Sequence, residues 1–135
     1  MNLYLRGMRT ILAFATLFLL AACSSTPLQK QFNEANKVKV LIYSGSERPS
    51  VHYETNDVER IKSFYGFIND TAVASASCDY EGRLVLYFTE TDTNEMRFSL
   101  ASGCRQITYR QDDEQFTKPL TDEGIAYFES LKQIR

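Results

Sequence analysis

The stretch RLVLYFT, residues 83–89, and the stretch EMRFSL, residues 95–100, decide the fold. In the first, Leu84, Leu86 and Phe88 fall on one side of an extended chain, with Val85 and Tyr87 on the other. In the second, Met96, Phe98 and Leu100 share a side. A period of two marks a strand that buries one face. The segment between them, 90–94, is short and polar, so the two strands form an antiparallel hairpin. A sheet therefore lies at the centre of the domain.

Working outward, residues 38–43 (VKVLIY) are rich in β-branched side chains and alternate at first, giving another strand. Gly45 and Pro49 mark a loop, after which Val51, Tyr53 and Thr55 alternate as its hairpin partner. Residues 73–80, carrying Cys78, read as a strand ending at the Glu81-Gly82 turn. Residues 106–110 read as a further short strand, followed by a turn at Asp112-Asp113-Glu114. Two helices are predicted. One starts at Asn56 as N-cap with Glu59 in capping-box position, placing Val58, Ile61, Phe64, Tyr65 and Ile68 on one face. The other is capped by Thr121, with Asp122 and Glu123 against its positive end and Ile125, Phe128, Leu131 and Ile134 facing inward. The order is ββαβββ(β)α, an α+β domain over residues 38–135: a small antiparallel sheet with two helices packed on one face.

The N-terminus carries an address. Arg6 and Arg9 precede an unbroken apolar run over 11–20, which ends in Leu20-Ala21-Ala22-Cys23 with no acidic residue before it. Ten apolar residues suit the core of an export signal but fall short of the roughly 20 that span a bilayer. The shorter stretch 8–23 already forms a complete signal, so either Met1 or Met8 serves as a start. The final four residues resemble the lipobox of bacterial lipoproteins. That resemblance implies removal of residues 1–22, lipidation of Cys23 and a membrane-anchored mature protein. Ser24 stands where an aspartate would favour inner-membrane retention, so the resemblance points to the outer membrane, with the domain facing the periplasm. Residues 23–37, polar and containing Pro27, read as the lipidated N-terminus and a tether; the spacing of Leu28 and Phe32 leaves a short helix as the alternative.

Removal of the signal leaves 113 of the 135 residues, with 13 basic and 17 acidic side chains and a net charge of −4. That is one small domain. Mild acidity without a basic stripe argues against nucleic acid and against an electrostatic grip on anionic lipid, leaving membrane attachment to the covalent lipid. With Cys23 lipidated, Cys78 and Cys104 remain as an even pair in an oxidising compartment, which predicts one disulfide closing a 27-residue loop.

No catalytic constellation stands out. His52 is the only histidine, so neither a histidine-based triad nor a multi-histidine metal site can be assembled. It reads as a solvent-facing strand residue. Glu90, Asp92 and Glu95 lack the spacing and central glycine of an EF-hand loop; they and Asp112-Asp113-Glu114 read as solvated turns. No cofactor or metal is expected, and the chain reads as a non-enzyme. The expected role is binding or assisting another envelope component. Two sets of residues are candidates for it. Tyr80, beside a turn and a cysteine, offers rigid contact area with a polar tip. The loop containing Ser44, Gly45 and Ser46 resembles the Ser-Gly loop of periplasmic lysozyme inhibitors, which implies, as the alternative, an inhibitor or immunity-type protein against a wall-degrading enzyme. The chain departs from that family in placing Pro49 after Arg48 and in its two predicted helices, since those inhibitors are all-β barrels.

Overall fold

The computed structural model describes residues 25–43, 48–74 and 77–133. The lipobox with Cys23, the loop residues Ser44, Gly45 and Ser46, and Ile134 lie outside the described residues. The domain is an α+β fold. Helix α1 (Pro27–Glu34) leads into β1 (Lys37–Ile42) and β2 (Ser50–Thr55). Helix α2 (Val58–Ser63) and a 3-10 turn (Phe64–Phe67) follow. Then come β3 (Gly82–Tyr87), β4 (Thr93–Ser99), β5 (Gln106–Gln111), β6 (Glu114–Pro119) and helix α3 (Asp122–Lys132). The strands form one antiparallel sheet in the order β2-β1-β3-β4-β5-β6.

Alternation sets the two faces. Register aligns Val38 with Leu86, Val40 with Leu84, Leu84 with Met96, and Phe98 with Ile107, so these side chains share one face and are buried. The helices cover that face. Phe128 of α3 stacks on Phe98 at 4.3 Å, and Phe64 and Phe67 meet edge to face at 5.2 Å beside it. Gly82 is required at its position: a Cβ there would overlap the Phe98 ring and the Leu41 carbonyl.

Helix α1 belongs to this core, so over Pro27–Glu34 the short helix suggested by Leu28 and Phe32 is found in place of a tether. Thr26 caps it by accepting from the Gln29 N–H at 3.2 Å, and Pro27 occupies the first turn. Leu28 and Phe32, one turn apart, are buried to 2% and 1% exposure. With such short apolar content the helix is marginal alone, and tertiary burial of the two side chains makes it.

Three further expectations are revised. Among the described residues of 73–80, which are 73, 74 and 77–80, none lies in a strand. Their alternate positions carry mostly Ala, Ser and Asp, so neither side offers a sheet an apolar row, and Val73 is 81% exposed. The sixth strand is instead β6, whose pairing is set by a two-residue turn at Asp112 and Asp113, with φ of 51° and 64°. Aspartate tolerates this left-handed region, which suits the twist of a tight hairpin. Finally, the helix predicted from Asn56 starts one residue later. Asp57 is its N-cap, accepting from the Glu59 N–H at 3.1 Å, and Val58 faces outward, half exposed. Among the described residues, three helices and a 3-10 turn thus stand where two helices were expected. The C-terminal helix is capped by Thr121 as anticipated, with Phe128 and Leu131 buried.

Candidate binding face

Among the described residues no helix packs on the second face of the sheet, although the 77–81 segment lies against part of it and Val85, Ser99, Gln106 and Thr108 are buried there. Its strand positions, read across the register, are Lys37, Lys39 and Leu41 on β1; Arg83, Val85 and Tyr87 on β3; Thr93, Glu95, Arg97 and Ser99 on β4; and Gln106, Thr108 and Arg110 on β5. Five bases and one acid therefore share this part of the face on a domain that is net acidic, with a second acid, Glu54 of β2, directly opposite Lys39. The expectation was of no basic stripe. The stripe is absent along the chain and present across the strands.

The cations are held in an unusual way. Lys37 Nζ lies 4.5 Å and Lys39 Nζ 5.4 Å from the Tyr87 ring centre. The Arg83 guanidinium lies 5.4 Å from the Tyr43 ring and that of Arg97 5.7 Å from the Tyr80 ring. A ring positions a cation through its quadrupole and leaves the charge uncancelled, whereas a carboxylate neutralises it. Among the described residues, only Arg83 of these four also has an acidic partner, Glu95, at 2.8 Å.

Tyr80 is built into this face rather than left on a free loop. On one side of it Cys78 is bonded to Cys104, with Cα atoms 5.9 Å apart. The Asp79 carbonyl accepts from Ser99 Oγ at 2.8 Å, and the Glu81 N–H donates to the Phe98 carbonyl at 2.9 Å. The Glu81 carboxylate accepts from Lys132 Nζ at 2.9 Å and from the buried Leu100 N–H. The disulfide and these bonds fix the 77–81 segment against β4 and set the Tyr80 ring over Arg97.

Beside Tyr80 the strands open. β4 pairs with β5 only from Arg97 to Ser99, so their other halves diverge. The Asn94 side-chain amide spans the gap by donating to the Arg110 carbonyl at 3.3 Å. The opening is a cleft of about 510 Å³ lined by Tyr80, Glu95, Arg97, Thr108, Arg110 and Gln115. Arg110 Nη2 donates to the Asp113 carbonyl at 2.9 Å, while Thr108 and Thr117 bond through their hydroxyls at 3.0 Å.

The other sequence candidates lie elsewhere. His52 is on the edge strand β2, with Nδ1 3.0 Å from the Ser50 carbonyl. Asp92 sits in the β3–β4 turn, and Glu95 is parted from it by pointing to the open face and pairing with Arg83. A broad groove of about 1230 Å³ at that end of the sheet runs between α1 and the two turns, and includes Lys30, Glu34, Asp92, Asp112 and Asp113. On the helical side, burial pushes the Tyr109 and Tyr127 hydroxyls up to about 12, so both stay neutral. Tyr65 is also raised, mainly by burial; it donates to Asp70 at 2.8 Å and lies 3.0 Å from Thr26 Oγ1, tying α1 to the domain.

The bases of the open face were missed because each looks like an ordinary solvated strand residue. The available signal was that outward positions of four strands carry a Lys or Arg. Comparison with protein-family models, curated proteins and solved structures returns no match, so the face must be read from its own chemistry.

Proposed function

We propose that this protein is a lipid-anchored, non-catalytic binding protein of the bacterial envelope, docking an acidic surface of another envelope protein through its open sheet face. The observation that carries the reading is that Lys37, Lys39 and Arg97 are held over tyrosine rings, without a carboxylate partner among the described residues, on a face no helix covers. Tyrosine and arginine are the residues that dominate protein–protein hot spots, and charge complementarity speeds and selects encounters. The ring faces that single-stranded nucleic acid would need for stacking are already occupied by lysine and arginine, which favours a protein partner.

The lipid anchor supports this geometry. Cys23, taken as the lipidated N-terminus, is four residues from Pro27, so it reaches at most about 14 Å from the start of α1. The end of the sheet nearest α1 carries Asp92, Asp112 and Asp113, which disfavour contact with anionic lipid. The basic face then looks sideways from the membrane and stays open to a neighbour. The helices packed on the sheet depart from the all-β barrel of lysozyme inhibitors, so the docking reading is preferred to the inhibitor one.

The test is in-cell crosslinking of the lipidated protein, followed by capture and mass spectrometry, with the native face and with Lys37, Lys39, Arg97 and Arg110 all changed to Gln. One dominant envelope protein, lost from the neutralised variant, is the expected result. Equal capture by both forms, or none by either, overturns the reading. Cys23→Ser should release the protein from the membrane fraction; unchanged attachment would contradict the anchor.

A further inference from the structure

We infer that the cleft where β4 and β5 diverge is a carboxylate-binding subsite, filled by the Asp or Glu side chains of an acidic segment of the protein partner. This rests on the docking reading above and names the part of the face that recognises the partner.

Three observations converge on the cleft. Arg97 and Arg110 both line it, and neither makes an ion pair with a carboxylate among the described residues. Arg97 has its ring partner Tyr80 fixed beside the disulfide, and Arg110 is steered by the Asp113 carbonyl. Neither contact uses up the positive charge. The second observation is the register: Arg83 and Arg97 are direct cross-strand partners, an arrangement that like charges disfavour. Glu95 relieves Arg83 and leaves Arg97 in need of an anion. The third is the company of the two arginines. Thr108 and Gln115 line the same cleft and add polar groups to a space of about 510 Å³, which fits a short peptide segment, while the acidic side chain that lines it, Glu95, is engaged by Arg83 at 2.8 Å.

Guanidinium groups match carboxylates through paired N–H donors. A carboxylate between Arg97 and Arg110 would be held by charge-assisted hydrogen bonds, with the Tyr80 ring as an apolar wall. The occupant is an acidic peptide because the docking reading supplies a protein partner and paired guanidinium donors match its carboxylates; lipid and glycan are the alternatives that the competing anions below test.

The experiment measures binding of fluorescent octaglutamate to the full-length protein in neutral detergent, with octaglutamine as the uncharged control. Polygalacturonate and phosphatidylglycerol vesicles serve as competing anions. The expected result is saturable binding of octaglutamate alone of the two peptides, weakening as salt rises. Arg97→Gln and Arg110→Gln should each weaken it about tenfold or more, and Arg105→Gln, an exposed base that does not line the cleft, should leave it unchanged. Arg97→Lys keeps the charge but loses the fork, and should fall between the native protein and Arg97→Gln. Thermal melting of each variant separates lost binding from lost folding. No octaglutamate binding, or binding indifferent to both arginines, overturns the subsite. Tighter, arginine-dependent binding of polygalacturonate or vesicles overturns the peptide assignment in favour of a glycan or a lipid. Failure here with a partner still captured through the sheet face removes only the subsite, whereas octaglutamate binding with no partner captured removes the broader reading.

Discussion

Arg83 and Arg97 stand directly opposite each other on neighbouring antiparallel strands, both on the face of the sheet away from the helices. Cross-strand partners of like charge destabilise a sheet. Here Glu95 reaches Arg83 at 2.8 Å, and the Tyr43 and Tyr80 rings take up the two guanidinium groups. The strain is eased without cancelling the charge of Arg97. A double-mutant cycle of Arg83→Gln and Arg97→Gln should give an unfavourable coupling of about 0.2–1 kcal/mol at low salt. In 1 M salt it should nearly vanish, because screening shortens the reach of charge to about 3 Å. A favourable coupling at low salt would contradict the relationship.

Helix α1 should behave as core. Phe32→Ala removes a fully buried ring and should cost about 3–5 kcal/mol in denaturant unfolding of the full-length protein. A tether residue would give no measurable change.

That contrast shows where the sequence was legible. β1, β3, β4 and β5 announce themselves through inward rows such as Leu84 and Leu86, which only a strand can align. Helix α1 is legible only as an alternative to a tether, because Leu28 and Phe32 are a single apolar pair with no third turn to establish a period. β6 hides because its inward positions include Lys118, whose ammonium reaches the Asp70 carbonyl at 3.1 Å, so hydropathy alternation fails there. Residues 73–80 mislead in the opposite way, alternating without any apolar bulk to bury. Tyr80 was legible as a contact residue, but the bases around it were not. A base at an outward position is unremarkable in one strand, and only the register brings Lys39, Arg83, Arg97 and Arg110 together.

The Cys78–Cys104 bridge should matter for both stability and the binding face. Reduction opens a loop closed across 26 positions, for which chain entropy suggests about 3–4 kcal/mol. Reduced protein should melt at a lower temperature and, with Tyr80 released, bind octaglutamate less well. Identical melting with and without reductant would show that the bridge contributes nothing.

Acid should weaken the junction between α3 and the sheet. Burial alone would raise the Glu81 carboxyl, but hydrogen bonds from Lys132 and from the Leu100 and Ala101 N–H groups outweigh it and hold it below the ordinary value of 4.5. Its contribution is therefore full above that value and lost as pH falls through the lowered one. Lys132 is raised above 10.5, chiefly by its hydrogen bond to Glu81, so its contribution is lost only as pH rises through that raised value. Glu81→Gln should cost about 1 kcal/mol near neutral pH, a figure kept small because both side chains are partly exposed. The difference from native protein should shrink in acid. An equal difference at pH 3 and pH 7, read by denaturant unfolding, would contradict the assignment.

The most direct test of the docking face is site-specific photocrosslinking in living cells. A photoreactive side chain is placed in turn at Thr93 and Gln115 around the open face, and at Ser63 and Glu123 on the helical side. Crosslinks from Thr93 and Gln115 to one envelope protein, through a segment rich in Asp and Glu, are the result expected. Crosslinks from Ser63 and Glu123 instead, with the open face silent, would show that the partner sits on the helices and that the basic face has another purpose.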